Sequence, residues 1–311
     1  MGAVRATAFG LDVGMETALP FLAGGATAAT GRTVELTLYE DAEPEWGAGG
    51  ELLSDEREVD GGVLFQIEQG ERGYRISGPK YGAAVLAADG SRVSGAAGAG
   101  GMDAWQRLLI AQVLPFAAVL NGLEVLHASG VAAGGEAFAL LGGSGSGKTS
   151  VALALCRLGA GFLADDVLAI ERDGPRLLAH PGAPVAGIDS GEVERLRGLA
   201  AFDEGLVLAV DTREAIVRLR PQSEPLPLAG LFLLERRPDG PAWPHFEPVV
   251  GPAALLASTF NLVLLGDERL EGLLDLCALA AEGPVERVVS GPEVDPAMVA
   301  EAVAERIGIG A

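Results

Sequence analysis

At 311 residues the chain is longer than one average domain, and with 49% hydrophobic and only 5% aromatic residues its core must be built from Leu, Val and Ala. A formal net charge of −21 argues against nucleic acid as a partner, because phosphate binding relies on a basic surface and counterion release. Twenty arginines against two lysines, Lys80 and Lys148, read as compositional bias, and the two cysteines, Cys156 and Cys277, as core thiols in a reducing compartment. No secretory signal is legible at the N-terminus. The longest apolar run, 108–120, is broken by Gln112 and Pro115 and is too short to span a bilayer. No membrane partner is expected, and the expected location is cytoplasmic.

Residues 1–101 read as a β-rich N-terminal region. Residues 33–39 alternate as a half-buried strand does, and 62–68, 73–77 and 83–87 follow as further strands. The acidic stretch 40–60 reads as a solvated loop, and the Gly/Ala-rich stretch 94–101 as a flexible joint. A second domain is expected over 102–311. Asp103 with Gln106 forms a capping box for a helix reaching about residue 119, with a kink at Pro115. From residue 123 the pattern becomes strand, loop, strand, glycine loop, helix, strand. A hairpin is expected over 170–178 through Asp173-Gly174, then a helix over 189–199 capped by Asp189 with Glu192. Strands at 215–219 and 228–234, a turn at 236–242, helices at 252–263 and 268–281 and a strand at 285–289 come next. The last helix has Asp295 as N-cap and Pro296 at its first position.

The run Gly142-Gly143-Ser144-Gly145-Ser146-Gly147-Lys148-Thr149, followed by Ser150, fits G-x-x-x-x-G-K-[ST], the phosphate-binding P-loop. Glycines let backbone N–H groups curl around phosphate oxygens, the lysine reaches the β- and γ-phosphates, and the threonine hydroxyl suits Mg²⁺. At this composition the pattern arises by chance about three times in a thousand such chains. An apolar strand over 137–141 leads in and a helix over 150–158 leads out. Downstream, an apolar strand ends in the adjacent carboxylates Asp165 and Asp166. A magnesium-dependent phosphoryl transferase needs one acid at the metal and another to take a proton. Side chains alternate along a strand, so these two would not both face the metal unless the strand bends. Upstream, Leu126-His127-Ala128-Ser129-Gly130 sets a histidine between a strand and a glycine.

His127, the loop 142–149, the helix carrying Ala152-Leu153-Ala154-Leu155, Gly159 and then Leu163-Ala164-Asp165-Asp166-Val167 stand in the order and spacing of a known family. The stretch resembles the HPr kinase/phosphorylase group and its HPr-kinase-related relatives. The likeness is strong over 127–170 and loose to about 306. It implies an α/β fold: a P-loop kinase core of HPr-kinase/phosphoenolpyruvate-carboxykinase-like type, with a mixed sheet and flanking helices. It implies ATP and Mg²⁺ as cofactors, with Lys148 on the phosphates, Thr149 and Asp166 at the metal, Asp165 as base toward a serine hydroxyl, and His127 beside the transferring group. The acceptor would be a serine on a small protein or peptide. The signature tied to dephosphorylation and HPr docking has no counterpart between residues 177 and 227, where only His180-Pro181-Gly182-Ala183-Pro184 and Arg213, Arg218 and Arg220 stand out. A small-metabolite kinase and a non-catalytic ATP-binding sensor stay open as alternatives. Symmetric homo-oligomers are common in the family, but nothing in the sequence reads as an interface.

Overall fold

A computed structural model describes residues 4–196 (apart from 27, 41, 48 and 59), 202–209, 214–249, 253–260 and 267–309. The fold is mixed α/β, with mixed sheets and few helices, and it divides into two compact units, Met1–Leu123 and Glu124–Ala311.

The first unit holds β1 (Val4–Ala8), β2 (Leu11–Met15), β3 (Thr33–Leu38), β4 (Glu51–Arg57), β5 (Val63–Gly70), β6 (Gly73–Gly78), β7 (Gly82–Leu86) and β8 (Arg92–Ala97). They form one sheet in the order β1-β2-β3-β8-β7-β6-β5-β4. The first half of the 94–101 stretch is therefore strand rather than joint. Its glycine serves packing: a Cβ on Gly95 would lie 2.1 Å from Cζ2 of Trp105, a fully buried side chain. Part of the expected acidic loop is likewise the edge strand β4, paired with β5.

Helix α1 (Gly101–Leu108), a π-helical turn at Leu109–Val113 and α2 (Leu114–Leu120) follow. The helix starts before Asp103, without a side-chain cap. Gln106 is not part of a capping box but accepts a buried hydrogen bond from the Phe21 N–H at 3.1 Å. The π-turn leads into Pro115, where a missing N–H is harmless at the start of α2. This helical segment belongs to the first unit, not to the second as the sequence suggested. Trp105 donates its indole N–H to the Ala83 carbonyl at 3.2 Å, and Phe116 meets Tyr74 edge-on at 5.0 Å, so β6 and β7 hold it.

The second unit contains β9 (Glu124–Leu126), β10 (Ala128–Ala133), β11 (Glu136–Leu141), α3 (Lys148–Arg157), β12 (Gly161–Ala164), β13 (Leu168–Asp173), β14 (Arg176–His180) and β15 (Val185–Asp189). A 3-10 turn at Ser190–Glu192 leads into α4 (Val193–Leu196), with Asp189 accepting from the Gly191 N–H at 2.8 Å; residues 197–199 of the expected helix lie outside the described residues. Then come β16 (Phe202–Ala209), β17 (Glu214–Leu219), β18 (Leu226–Arg236), β19 (His245–Pro248), α5 (Ala253–Leu256), α6 (Asp267–Glu282), β20 (Val285–Ser290) and α7 (Pro296–Arg306). Of the helix expected over 252–263, residue 252 and residues 261–263 lie outside the described residues, as does Arg213. Asp295 caps α7 as expected, accepting from the Ala297 N–H at 2.8 Å.

The main sheet runs β12-β10-β11-β18-β14-β13-β9, with β20 beside β18 and β19 beside β20; β15-β17-β16 form a smaller antiparallel sheet. Strands β11, β18 and β20 are parallel neighbours. β11 is buried on both faces, which is why it reads as an unbroken apolar run. Phe138 and Leu140 pack toward Val151 and Leu155 of α3 and Val299 and Val303 of α7. Ala137, Ala139 and Leu141 pack toward Leu273, Leu276 and Cys277 of α6. Both cysteines are free and buried, and burial pushes the Cys156 thiol up to about 12 and Cys277 to about 11. Among the described residues no helix is long and apolar enough to cross a membrane.

Candidate functional site

The glycine loop joins the C-terminal end of central strand β11 to the N-terminus of α3, so the end of a buried sheet aims its backbone at one helix terminus. Gly142, Gly145 and Gly147 have φ of 146°, 75° and 93°, values that favour glycine. Gly142 is further constrained, since a Cβ there would lie 2.6 Å from Ser146 Oγ and 2.7 Å from the Leu234 carbonyl. Gly143, Ser144 and Gly145 are exposed. The Ser146 Oγ is buried without a hydrogen-bond partner, a polar atom left over inside the loop.

Lys148 is buried and folds back on the loop. Its ammonium donates to the Gly142 carbonyl at 2.9 Å, to the Gly143 carbonyl at 3.3 Å and to His127 Nε2 at 3.1 Å. Desolvation draws its pKa down, while Asp166 and Asp165 hold it up. His127 sits in the one-residue link between β9 and β10, its N–H bound to the Ser258 carbonyl at 2.7 Å. Because Nε2 accepts from lysine, the ring proton belongs on Nδ1, which donates to the Asp166 carbonyl at 3.0 Å and lies 3.3 Å from Asp166 Oδ1.

As expected, the apolar strand β12 ends at the paired aspartates, and the rest of the run, from Leu168, forms a second strand, β13. Val167 N–H bonds the Asp165 carbonyl at 2.7 Å around Asp166, whose φ is 63°. This three-residue γ-turn is a strained conformation for a non-glycine residue. It sends the two carboxylates into different surroundings. Asp165 points inward: Oδ1 accepts from Thr149 and Ser129, each at 2.8 Å, and Oδ2 from the Gly187 N–H at 3.2 Å. Its pKa rises to about 6, chiefly from desolvation and then from the charge of Asp166, against those three hydrogen bonds. Asp166 points outward, its side chain 58% exposed beside His127.

The structure thus brings together His127, Lys148, Thr149, Asp165 and Asp166. Both oxygens of Asp165, the expected base, are occupied, whereas Asp166, the expected metal ligand, is the accessible acid. Ser129 and the Gly187 N–H belong to the site too and were not anticipated. Ser129 could have been read from its place two residues after His127 on a strand; Gly187 comes from β15 and leaves no trace in the pattern. His180 lies elsewhere, buried and 2.9 Å from Glu171. A cavity of about 560 Å³ opens at the opposite end of β11, where β18 passes from β14 to β20, and holds none of these residues.

No family model matches the chain, and no curated protein matches its sequence. Among solved structures it is similar to the Hpr(Ser) kinase/phosphatase from Coxiella burnetii, at 12% identity over 58% of this chain and 95% of that one, with a TM-score of 0.29. A likeness this distant carries no weight for the chemistry of the site.

Proposed function

We propose that the second unit is an ATP- and Mg²⁺-dependent kinase that transfers the γ-phosphoryl group to a hydroxyl, with a serine on a small protein or peptide as acceptor. The observation that carries this reading is the convergence, on one glycine loop, of a lysine, a threonine and two carboxylates of opposite exposure. The Thr149 hydroxyl donates its hydrogen bond to Asp165, which leaves the oxygen's lone pairs free for a cation. The Thr149 hydroxyl fits magnesium as a direct ligand, with Asp165 behind it as the acceptor that orients the hydroxyl and adds charge; magnesium takes few protein oxygens and completes its shell with phosphate and water. Magnesium there would neutralise phosphate charge.

In this reading the aspartates exchange the roles assigned from sequence. Asp166 is the base, because a base must reach the proton it removes. The acceptor oxygen bonds to the γ-phosphorus as the bond to the ADP oxygen breaks, and the hydroxyl proton passes to the Asp166 carboxylate. His127, neutral and donating through Nδ1, orients Asp166 and abuts Lys148. The serine acceptor is supported by the resemblance of residues 127–170 to HPr-kinase-related enzymes, and by an exposed rather than enclosed base.

Titration calorimetry with MgATP, then incubation with γ-labelled ATP and a panel of peptides, proteins and hydroxy metabolites, tests the reading. Asp166→Asn should abolish transfer and keep MgATP binding; Asp165→Asn should weaken the magnesium-dependent part of binding. No binding at millimolar MgATP would sink the nucleotide reading. Binding without any labelled acceptor would make the protein a nucleotide sensor instead.

A further inference from the structure

We propose that Arg236 is a second cationic ligand of the nucleotide's phosphate chain; this rests on the nucleotide reading of the glycine loop. Along β18 side chains alternate between faces. Phe232 and Leu234 pack in the cluster that contains Val151 and Leu155 of α3, and Leu231 in the one that contains Leu273 and Leu276 of α6. Arg236, two residues beyond Leu234 at the strand's end, falls on the α3 side, where α3 begins. Its Nη2 lies 3.7 Å from the position a Cβ on Gly147 would take.

Two observations separate this arginine from a surface charge. Its Nη1 donates to the Pro292 carbonyl at 2.9 Å, which anchors one end of the guanidinium while Nη2 lies toward the loop. Its neighbours are otherwise engaged: Arg237 binds Glu235 at 2.8 Å and Glu247 at 3.4 Å, and Arg287 binds Glu235 at 3.0 Å. Among the described residues no carboxylate pairs with Arg236. Charge explains why such a cation is needed. At the loop Lys148 is shared between two carbonyls and His127 and faces the charges of Asp165 and Asp166, so a triphosphate gains from a further cation besides magnesium. A guanidinium anchored at one end offers its other N–H groups to phosphate oxygens.

The test is titration of wild type, Arg236→Ala and Arg236→Gln with MgATP and with magnesium tripolyphosphate, which carries the phosphates without the nucleoside. Arg236→Ala should weaken both ligands by the same factor, roughly ten- to a hundredfold, the loss of one charge-assisted contact. Arg236→Gln keeps an N–H for Pro292 without the charge; it should bind as weakly and decides the matter if the alanine variant does not fold. Affinities within twofold of wild type overturn the proposal and leave the nucleotide reading standing. Weakened MgATP with unchanged tripolyphosphate also overturns it, since Arg236 would then read the nucleoside. Wild type that binds neither ligand removes the nucleotide reading and this proposal together.

Discussion

Asp165 and Asp166 are neighbours in the chain and opposites in environment, because the γ-turn at Asp166 turns one carboxylate under the sheet and the other out to water. Moving a carboxyl from its ordinary 3.8 to about 6 costs the folded state at most about 3 kcal/mol at neutral pH. The sign follows from proton binding. Between pH 3.8 and about 6 the folded protein keeps a proton on Asp165 that the unfolded chain has released, so raising pH through that window lowers stability. Wild type should therefore lose up to about 3 kcal/mol relative to Asp165→Asn across this window and stay level above it, as measured by denaturant unfolding at a series of pH values. MgATP affinity should run the other way, falling as pH drops below about 6, because the metal needs the ionised form. The turn makes its own prediction. Asp166→Val, β-branched at a φ of 63°, should be less stable than Asp166→Gly by about 2 kcal/mol, while both lose phosphoryl transfer.

At the scale of elements, the strand–loop–helix unit is specified by contacts that only some of its glycines make. Gly142→Ala forces a Cβ against Ser146 and the Leu234 carbonyl at a φ of 146°, so it should cost about 1–3 kcal/mol and most MgATP affinity. Gly143→Ala, with nothing within 4 Å, should change stability by less than about 0.5 kcal/mol. Calorimetric titration and thermal melts of the pair separate a shaped loop from one that is merely glycine-rich. In the first unit, Gly95→Ala would drive a methyl into Trp105 at 2.1 Å and should cost about 1–3 kcal/mol by denaturant unfolding, with MgATP affinity unchanged.

On the scale of the whole molecule, the first unit owns one sheet and the second two, each unit has its own helices, and the described site residues all lie in the second. Differential scanning calorimetry should show MgATP raising the melting of the second unit by about 2.7 kcal/mol equivalent at a hundredfold excess over Kd, and leaving the first unit's transition in place. A shift of both transitions would mean that the units melt as one.

What the sequence determined by itself was local. The alternation of 33–39, the apolar run into Gly142, the glycine loop, the helix after Lys148 and the Asp295-Pro296 helix start are all short-range patterns, where backbone preference and periodicity settle the outcome. His127, Lys148, Thr149, Asp165 and Asp166 were legible as residues for the same reason: their types and spacings lie within one stretch of chain. What only the tertiary structure decided came from contacts between distant segments. Part of a Gly/Ala stretch became strand β8 because β3 and β7 pair with it on either side, and its Gly95 leaves room for Trp105. The helical segment 101–120 joined the first unit because Ala83 and Tyr74 receive it. Ser129 and the Gly187 N–H reach Asp165 from separate strands. The different surroundings of the two aspartates followed from burial, which no single stretch of chain contains: a carboxylate's ionisation depends on which hydroxyls, charges and water surround it after folding.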